Sequence, residues 1–496
     1  MLLRFSTIVL LSLAMSGAAL AATAEPEQFL RAKMQALHIP AAQLAVVHHG
    51  RIVKLGAYGT ANVEHQVAAT ADSIFSINSC TKAFIGVAVM QLAEAGKLRV
   101  DDPISLYLHD LPAAWQKVTI RQVLSHTSGL PNIIDEYERI VGGGGAAQAW
   151  AAVKAMPPEF AAGERYRYNQ TGYVIIGKII EQLSGQSFTS FVEQRQFQPA
   201  GMRHTRFGDS ADVVPHSAGG YSFSHNEGGK WIEGKQLTAI FVEFPQFFRP
   251  AAGILSNATD IAHWLIALQD GRLLKEHASI ATLWQPVRLN DGSTAGPNPL
   301  LDGSALGWPV AVRDEHPAVA PIGGMRSTFF VYPKDDLAIV VLTNLQGANP
   351  ELFIDELASY YIPGMAPSTG FGLPPAVKRF RARLLERGFD HAAEVHDAMQ
   401  AAGAVMPSES ELNAWAYTLA SQRSLPQSLA ILALNTRLHG QSWNAFDSYG
   451  EVLEQAGERS GAIASYRRSL ALNPDNSNAV EHLRALEAPA QAGAAR

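Results

Sequence analysis

Cysteine is almost absent: Cys80 is the only one in 496 residues. A lone thiol forms no internal disulfide, so stability must come from a large apolar core. Charge is sparse too. Only 17% of residues are charged and the formal net charge is −6. No basic run or basic–aromatic stripe occurs, which argues against nucleic acid as a partner. Beyond the N-terminus no stretch of about 18 uncharged apolar residues appears, so no membrane span is expected in the mature chain. Metal-ligand spacing is missing as well. His48 and His49 are adjacent but stand alone and read as hairpin residues, so neither metal nor organic cofactor is expected.

What is present is apolar and long. Hydrophobic residues make up 47% of the chain, and the length suffices for two or three domains. Met1–Ala24 has the layout of a secretory signal. Arg4 is the charged start, Ile8–Met15 the apolar run, and Ala19-Leu20-Ala21 an A-x-A cleavage site. A periplasmic or secreted protein is therefore expected, with no cysteine after the cut to carry a lipid anchor.

The stretch Phe75-Ser-Ile-Asn-Ser-Cys-Thr-Lys82 leads into AFIGVAVMQLAEAGKL, apolar on most sides and closed by Gly96 and Lys97, which predicts a buried helix. Ser79 and Lys82 are three apart and share a helix face. Free N–H groups of the first turn favour a developing anion at Ser79. A serine beside a base at such a place can act as a nucleophile. Cys80, next to it, reads as a small structural core residue.

Gln43–Val47 and Arg51–Leu55 predict a hairpin turning at His49-Gly50. A helix over Thr119–Leu124 is capped by its threonine. It runs into Ser125-His126-Thr127-Ser128-Gly129-Leu130-Pro131, where His126 reads as a loop residue bonded to backbone and not as a general base. Gly142–Gly145 lacks the G-K-[ST] ending of a phosphate cradle and reads as a surface loop. Tyr168 and Gln170 lie in a loop before the helix Val174–Leu183 and can point into a cleft. The aromatics Trp231, Phe241, Phe244, Phe247 and Phe248 belong either to a substrate-shaping insertion or to the core. Thr259–Leu268 predicts another helix. Late strands at Ser327–Tyr332 and Ala338–Thr343, with the early hairpin, predict an α+β domain. Its antiparallel sheet is closed by its own termini and covered by helices.

Pro363–Pro375 reads as a linker. Beyond it the pattern is all helical, and Trp443–Asn476 spans 34 residues with Gly450, Gly457, Ala462, Tyr466 and Pro474 at tetratricopeptide offsets. Glu409–Ser442 fits a weaker copy. The domains are thus expected at 26–362 and 376–489, joined by 363–375. The tail is a candidate surface for a protein partner.

Together these motifs resemble the serine β-lactamase-like group of class C β-lactamases, penicillin-binding DD-peptidases and related esterases. FSINSCTK, RQVLSHTSGLP, ERYRYNQTGY, PAAGILSNATDIAHW and the VLTN end carry the resemblance, in the group's order. It implies Ser79 as acylated nucleophile, Lys82 as its partner and Tyr168 as the catalytic tyrosine. The oxyanion donors would be the N–H groups of Ser79 and Gly324. An ammonium beside the phenol is expected to lower its pKa below about 10. Two positions depart from the group. Gln170 stands where asparagine is usual and should keep a shifted contact. Pro321 replaces the basic residue of the third motif and has neither charge nor N–H. Arg326 on the next strand is a candidate replacement cation. The reading is a serine hydrolase of ester, amide or peptide-like molecules. The alternative is a catalytically degenerate protein of the same fold that binds peptidoglycan or a partner.

Overall fold

The computed structural model describes residues 25–135, 139–143, 145–227, 230–366, 369–421 and 424–487. The predicted signal Met1–Ala24 and Gly144 of the glycine loop lie outside the described residues, as does the side chain of Trp231. The chain divides into two compact units, with the boundary between Ala366 and Pro367.

The first unit is built on an antiparallel sheet. Its strands run in the order Val67–Ala68, Arg51–Asn62, Ala41–His48, Leu337–Thr343, Ser327–Tyr332, Ala318–Val319, Pro309–Ala311 and Gly303–Ser304. The early hairpin turns at His49 and Gly50, both with positive φ, as a two-residue turn between right-twisted strands requires. Ala41–His48 then pairs with Leu337–Thr343, Leu44 facing Val341, so strands some 300 positions apart close the sheet. Every residue of Ser327–Tyr332 and Leu337–Thr343 is buried. That fits a sheet covered on both faces, where strands read as continuous apolar runs.

The motif helix spans Thr81–Glu94, preceded by a 3₁₀ turn at Asn78–Cys80. Phe84 stacks on Trp264 of the helix Ala258–Gln269 at 3.9 Å, and Trp264 stacks on Trp308 at 5.9 Å. Trp308 meets Phe329 of the central strand edge-on. This aromatic column fixes the helix against the sheet. The helix Ile120–Leu124 has the expected Thr119 cap, completed by Gln122 as a capping box. Thr171–Ser184 starts three residues earlier than its apolar pattern and ends at left-handed Gly185.

The stretch from Gly201 to Pro250, opaque in sequence, contains a hairpin of Gly220–Glu227 and Lys230–Ile240. Gly220–Glu227 also pairs in parallel with Leu345–Gln346. Of its aromatics, Phe244 and Phe248 are buried, as the core reading expects, whereas Phe241 is 65% exposed.

In the second unit, helices open at Glu409, Trp443 and Ser477. Successive openings are 34 residues apart (409 to 443, 443 to 477). Phe380, Trp415, Leu432 and Val452 form one apolar cluster, and Ala462, Tyr466, Ala479 and Leu483 another. Tyr417 donates to Glu451 at 2.6 Å, and Asn478 to Asp447 at 2.9 Å, tying alternate helices together. Within the first unit, Pro363–Met365 is a 3₁₀ turn with Met365 buried, so the start of the predicted linker is packed chain.

Gly86 of the motif helix has no room for a side chain: a Cβ there would stand 2.0 Å from the carbonyl oxygen of Leu306. Gly86→Ala is expected to destabilise the first unit by about 1–3 kcal/mol despite alanine's better helix propensity. A thermal melt showing an unchanged or raised Tm contradicts this.

Candidate active site

Ser79 is presented by a turn under backbone strain. Asn78 has φ +47, a left-handed conformation unusual outside glycine. The segment before it, Phe75–Ser76, pairs with Ile254–Ser256, and Thr81 Oγ1 accepts from the Ile254 N–H at 3.1 Å. Two stretches that looked independent in sequence therefore hold the Ser79 turn between them.

Three of the expected side chains converge there. Lys82 Nζ lies 3.3 Å from Ser79 Oγ, and Tyr168 donates its phenolic hydrogen to the same oxygen at 2.6 Å. Lys82 also donates to the Ala251 carbonyl at 2.6 Å. Its Nζ sits 4.8 Å from the ring centre of Tyr168 and 5.0 Å from that of Tyr173. The residue is only 3% exposed, and burial holds its pKa well below the usual 10.5. No carboxylate lies within ion-pair distance among the described residues.

The expected lowering of the Tyr168 pKa is corrected. Burial pushes the phenol up to about 12, against the pull of hydrogen bonds to Ser79 and Gln170. The residue is 39% exposed toward the cleft, so the push is weaker than on a sealed group. The physical reason is burial of the phenol itself, which disfavours the phenolate more than its hydrogen bonds favour it. The same burial weakens the ammonium form of Lys82.

His126 keeps its loop role but is not remote. Its Nδ1 accepts from the Asn169 N–H at 3.1 Å, while its ring leans on Tyr168 at 4.5 Å. Burial, then the neighbouring Lys82, push its pKa well below 6.5. Asn169 itself is structural, donating to the Leu130 carbonyl at 2.7 Å. The Gln170 N–H donates to Asn132 Oδ1 at 3.0 Å. Its side-chain Oε1 is buried without a partner among the described residues.

Facing the serine is the hairpin of Ile322–Gly323 and Ser327–Tyr332. Gly324 and Met325 both take positive φ, and Arg326 N–H returns to Gly323 O at 3.1 Å. Gly323 must be glycine, because a Cβ would stand 2.0 Å from Ile77 O and 3.1 Å from Cys80 N. That close approach brings Gly324 to the Ser79 turn, where a Cβ would lie 2.4 Å from Asn78 Nδ2. Neither the Ser79 nor the Gly324 N–H donates to a protein acceptor among the described residues. Pro321 precedes this strand, and its carbonyl accepts from Thr328 Oγ1 at 2.8 Å.

Arg326 is 6% exposed and donates from Nη2 to Asn78 Oδ1 at 3.1 Å, while its Nε has no partner among the described residues. Burial draws the guanidinium down to about 10, which leaves it charged at neutral pH. Cys80 is buried, with its thiol pushed well up by desolvation, and is no rival nucleophile.

Ser79, Lys82, His126, Tyr168, Gln170, Gly324 and Arg326 line one cleft of ≈ 1010 Å³, walled on its apolar side by Ile134, Ile140, Phe241, Val242, Phe244 and Phe248. The signals missed in sequence were non-local. Asn78, Asn132 and the Ala251 carbonyl matter only through what folds against them. Among the described residues no group of three or more His, Cys, Asp or Glu could hold a metal. No helix among them is long and apolar enough to cross a membrane.

An antiparallel sheet flanked by helices, with this serine at its edge, is the fold of a class of serine hydrolases that includes esterases, amidases and penicillin-binding proteins. The chain belongs to the beta-lactamase family, which it matches over residues 26–359. It is 26% identical over 338 residues to protein flp of Staphylococcus aureus strain N315, covering 67% of this chain and 65% of that protein. The chain thus spans a little under two thirds of the length of this curated relative. The octameric penicillin-binding protein homologue from Pyrococcus abyssi superposes with a TM-score of 0.58 at 24% identity, covering 74% of this chain and 81% of that one. The D-amino acid amidase of Ochrobactrum anthropi SV3, complexed with L-phenylalanine amide, gives 0.57 at 22%, covering 71% and 100%.

A neutral amine accepts a proton and an ammonium does not. Labelling of Ser79 by a fluorophosphonate should therefore speed up as pH rises through the depressed Lys82 pKa, below 10.5, with Tyr168 protonated throughout. Lys82→Arg, permanently charged, should slow labelling by about 10²–10⁴. A pH-independent rate, or an arginine variant as fast as wild type, contradicts the assignment.

Proposed function

We propose that the first unit is a serine hydrolase acting through an acyl-enzyme on Ser79, with an ester, amide or peptide-like substrate. The observation that carries this reading is the contact of Ser79 Oγ with both Tyr168 Oη, at 2.6 Å, and Lys82 Nζ, at 3.3 Å. Ser79 Oγ attacks the carbonyl carbon as its proton passes to the Lys82 amine. The rings of Tyr168 and Tyr173 favour the ammonium so formed. The Ser79 and Gly324 N–H groups take the oxyanion, each donor worth about 3 kcal/mol in such a site. Tyr168 gives its proton to the leaving alcohol or amine and is reprotonated from Lys82. Water then releases the acyl group by the same steps in reverse order. Gln170 and Arg326 would contact substrate or support the oxyanion site. A non-catalytic binding protein is not favoured, because it has no need of a buried amine and phenol on one serine.

The apolar wall from Ile134 to Phe248 suits a bulky acyl or aryl group. We read Met1–Ala24 as an export signal and the protein as periplasmic or secreted. The 34-residue helix spacing supports tetratricopeptide-like repeats in the tail, a surface for a protein partner.

Ser79→Ala should abolish p-nitrophenyl ester turnover, while Cys80→Ala retains it. Peptide mass spectrometry after fluorophosphonate treatment should place the label on Ser79. Turnover surviving in the serine variant, or a label elsewhere, overturns the reading.

A further inference from the structure

One acid in the cleft has no role in the steps above. Glu351 lines the same cavity as Ser79, is 7% exposed, and its Oε2 is buried with no hydrogen-bond partner among the described residues. It stands in the turn Pro350–Leu352. That turn is docked on the oxyanion hairpin: the Gly347 and Asn349 N–H groups both donate to Met325 O, at 3.1 and 3.0 Å. Ser79, Gly324 and Met325 line that cavity too, so the turn carrying Glu351 adjoins the hairpin that faces the serine.

A buried carboxylate oxygen without a donor is costly, and native structures supply one unless a ligand does. The charges around the site choose the ligand. Pro321 removes the third-motif cation that would receive a substrate carboxylate. Lys82 is committed to the Ala251 carbonyl, Arg139 is paired with Asp135 at 2.9 Å, and Arg326, though charged, is buried against Asn78. An anionic group near the hairpin would face an unpaired acid there. A cationic donor would complete it and favour its ionised form, which burial disfavours in the empty cleft.

We propose that Glu351 receives a primary ammonium of the substrate, so that the hydrolase prefers aminoacyl compounds over the same compounds lacking the amine. This rests on the hydrolase reading above and assigns its substrate class.

The test uses the full chain with phenylalanine p-nitroanilide, both enantiomers, against 3-phenylpropionyl p-nitroanilide, which differs by the amine alone. Wild type should favour an amino substrate in kcat/KM by about tenfold or more, the scale of a hydrogen bond to a charged group. Glu351→Gln, similar in shape but uncharged, should collapse that ratio through KM, and Glu351→Asp should keep most of it. A wild-type ratio near one, or a ratio unmoved in Glu351→Gln, overturns the proposal. If the glutamine variant does not fold, the wild-type ratio and the aspartate variant decide. Fluorophosphonate labelling separates the two failures. A labelled Ser79 with no preference for the amine overturns the ammonium assignment alone. An unlabelled Ser79 with neither anilide cleaved overturns the hydrolase reading itself.

Discussion

The site depends on the desolvation of one amine. Lys82 is sealed beneath Tyr168 and Tyr173, with the Ala251 carbonyl as its fixed acceptor. An ammonium is costly there without a carboxylate partner, so burial holds the Lys82 pKa well below its usual value. Burial acts on its neighbours as well, pushing the Tyr168 phenol up and, together with Lys82, the His126 imidazole down. A carboxylate placed near Lys82 would hold the ammonium and oppose the shift of the amine.

Rigidity serves this arrangement. The stacked column of Phe84, Trp264 and Trp308 leaves the motif helix little freedom to shift. Gly86 and Gly323 let backbone approach where a side chain would force separation. The left-handed turn at Asn78 costs conformational energy, and Arg326, Ser76 and the facing hairpin hold it in place. In the proposed mechanism the oxyanion donors are thus backbone groups whose direction is fixed before any substrate arrives.

Much of the fold was legible because its signals are local. The hairpin turn at His49-Gly50, the Thr119 cap, the Gly185 stop and the late strand Ser327–Tyr332 each follow from a few adjacent residues. The hairpin of Gly220–Glu227 and Lys230–Ile240 escaped because its strands carry little apolar alternation. Its register comes partly from a parallel neighbour, Leu345–Gln346, far along the chain. Glu351 escaped for the same kind of reason: an acid after a proline looks like surface until the hairpin it docks on is known.

By itself the sequence determined the element types, the antiparallel sheet closed by its ends, and the candidates Ser79, Lys82 and Tyr168. Spacing, turn chemistry and motif order are written along the chain. Tertiary structure alone decided the direction in which the pKa values of Lys82 and Tyr168 shift, reversing the one expected at Tyr168, and the partners Ala251, Asn78 and Glu351. Proton affinity is set by what surrounds a group in three dimensions, and those surroundings come from segments up to some 270 residues away.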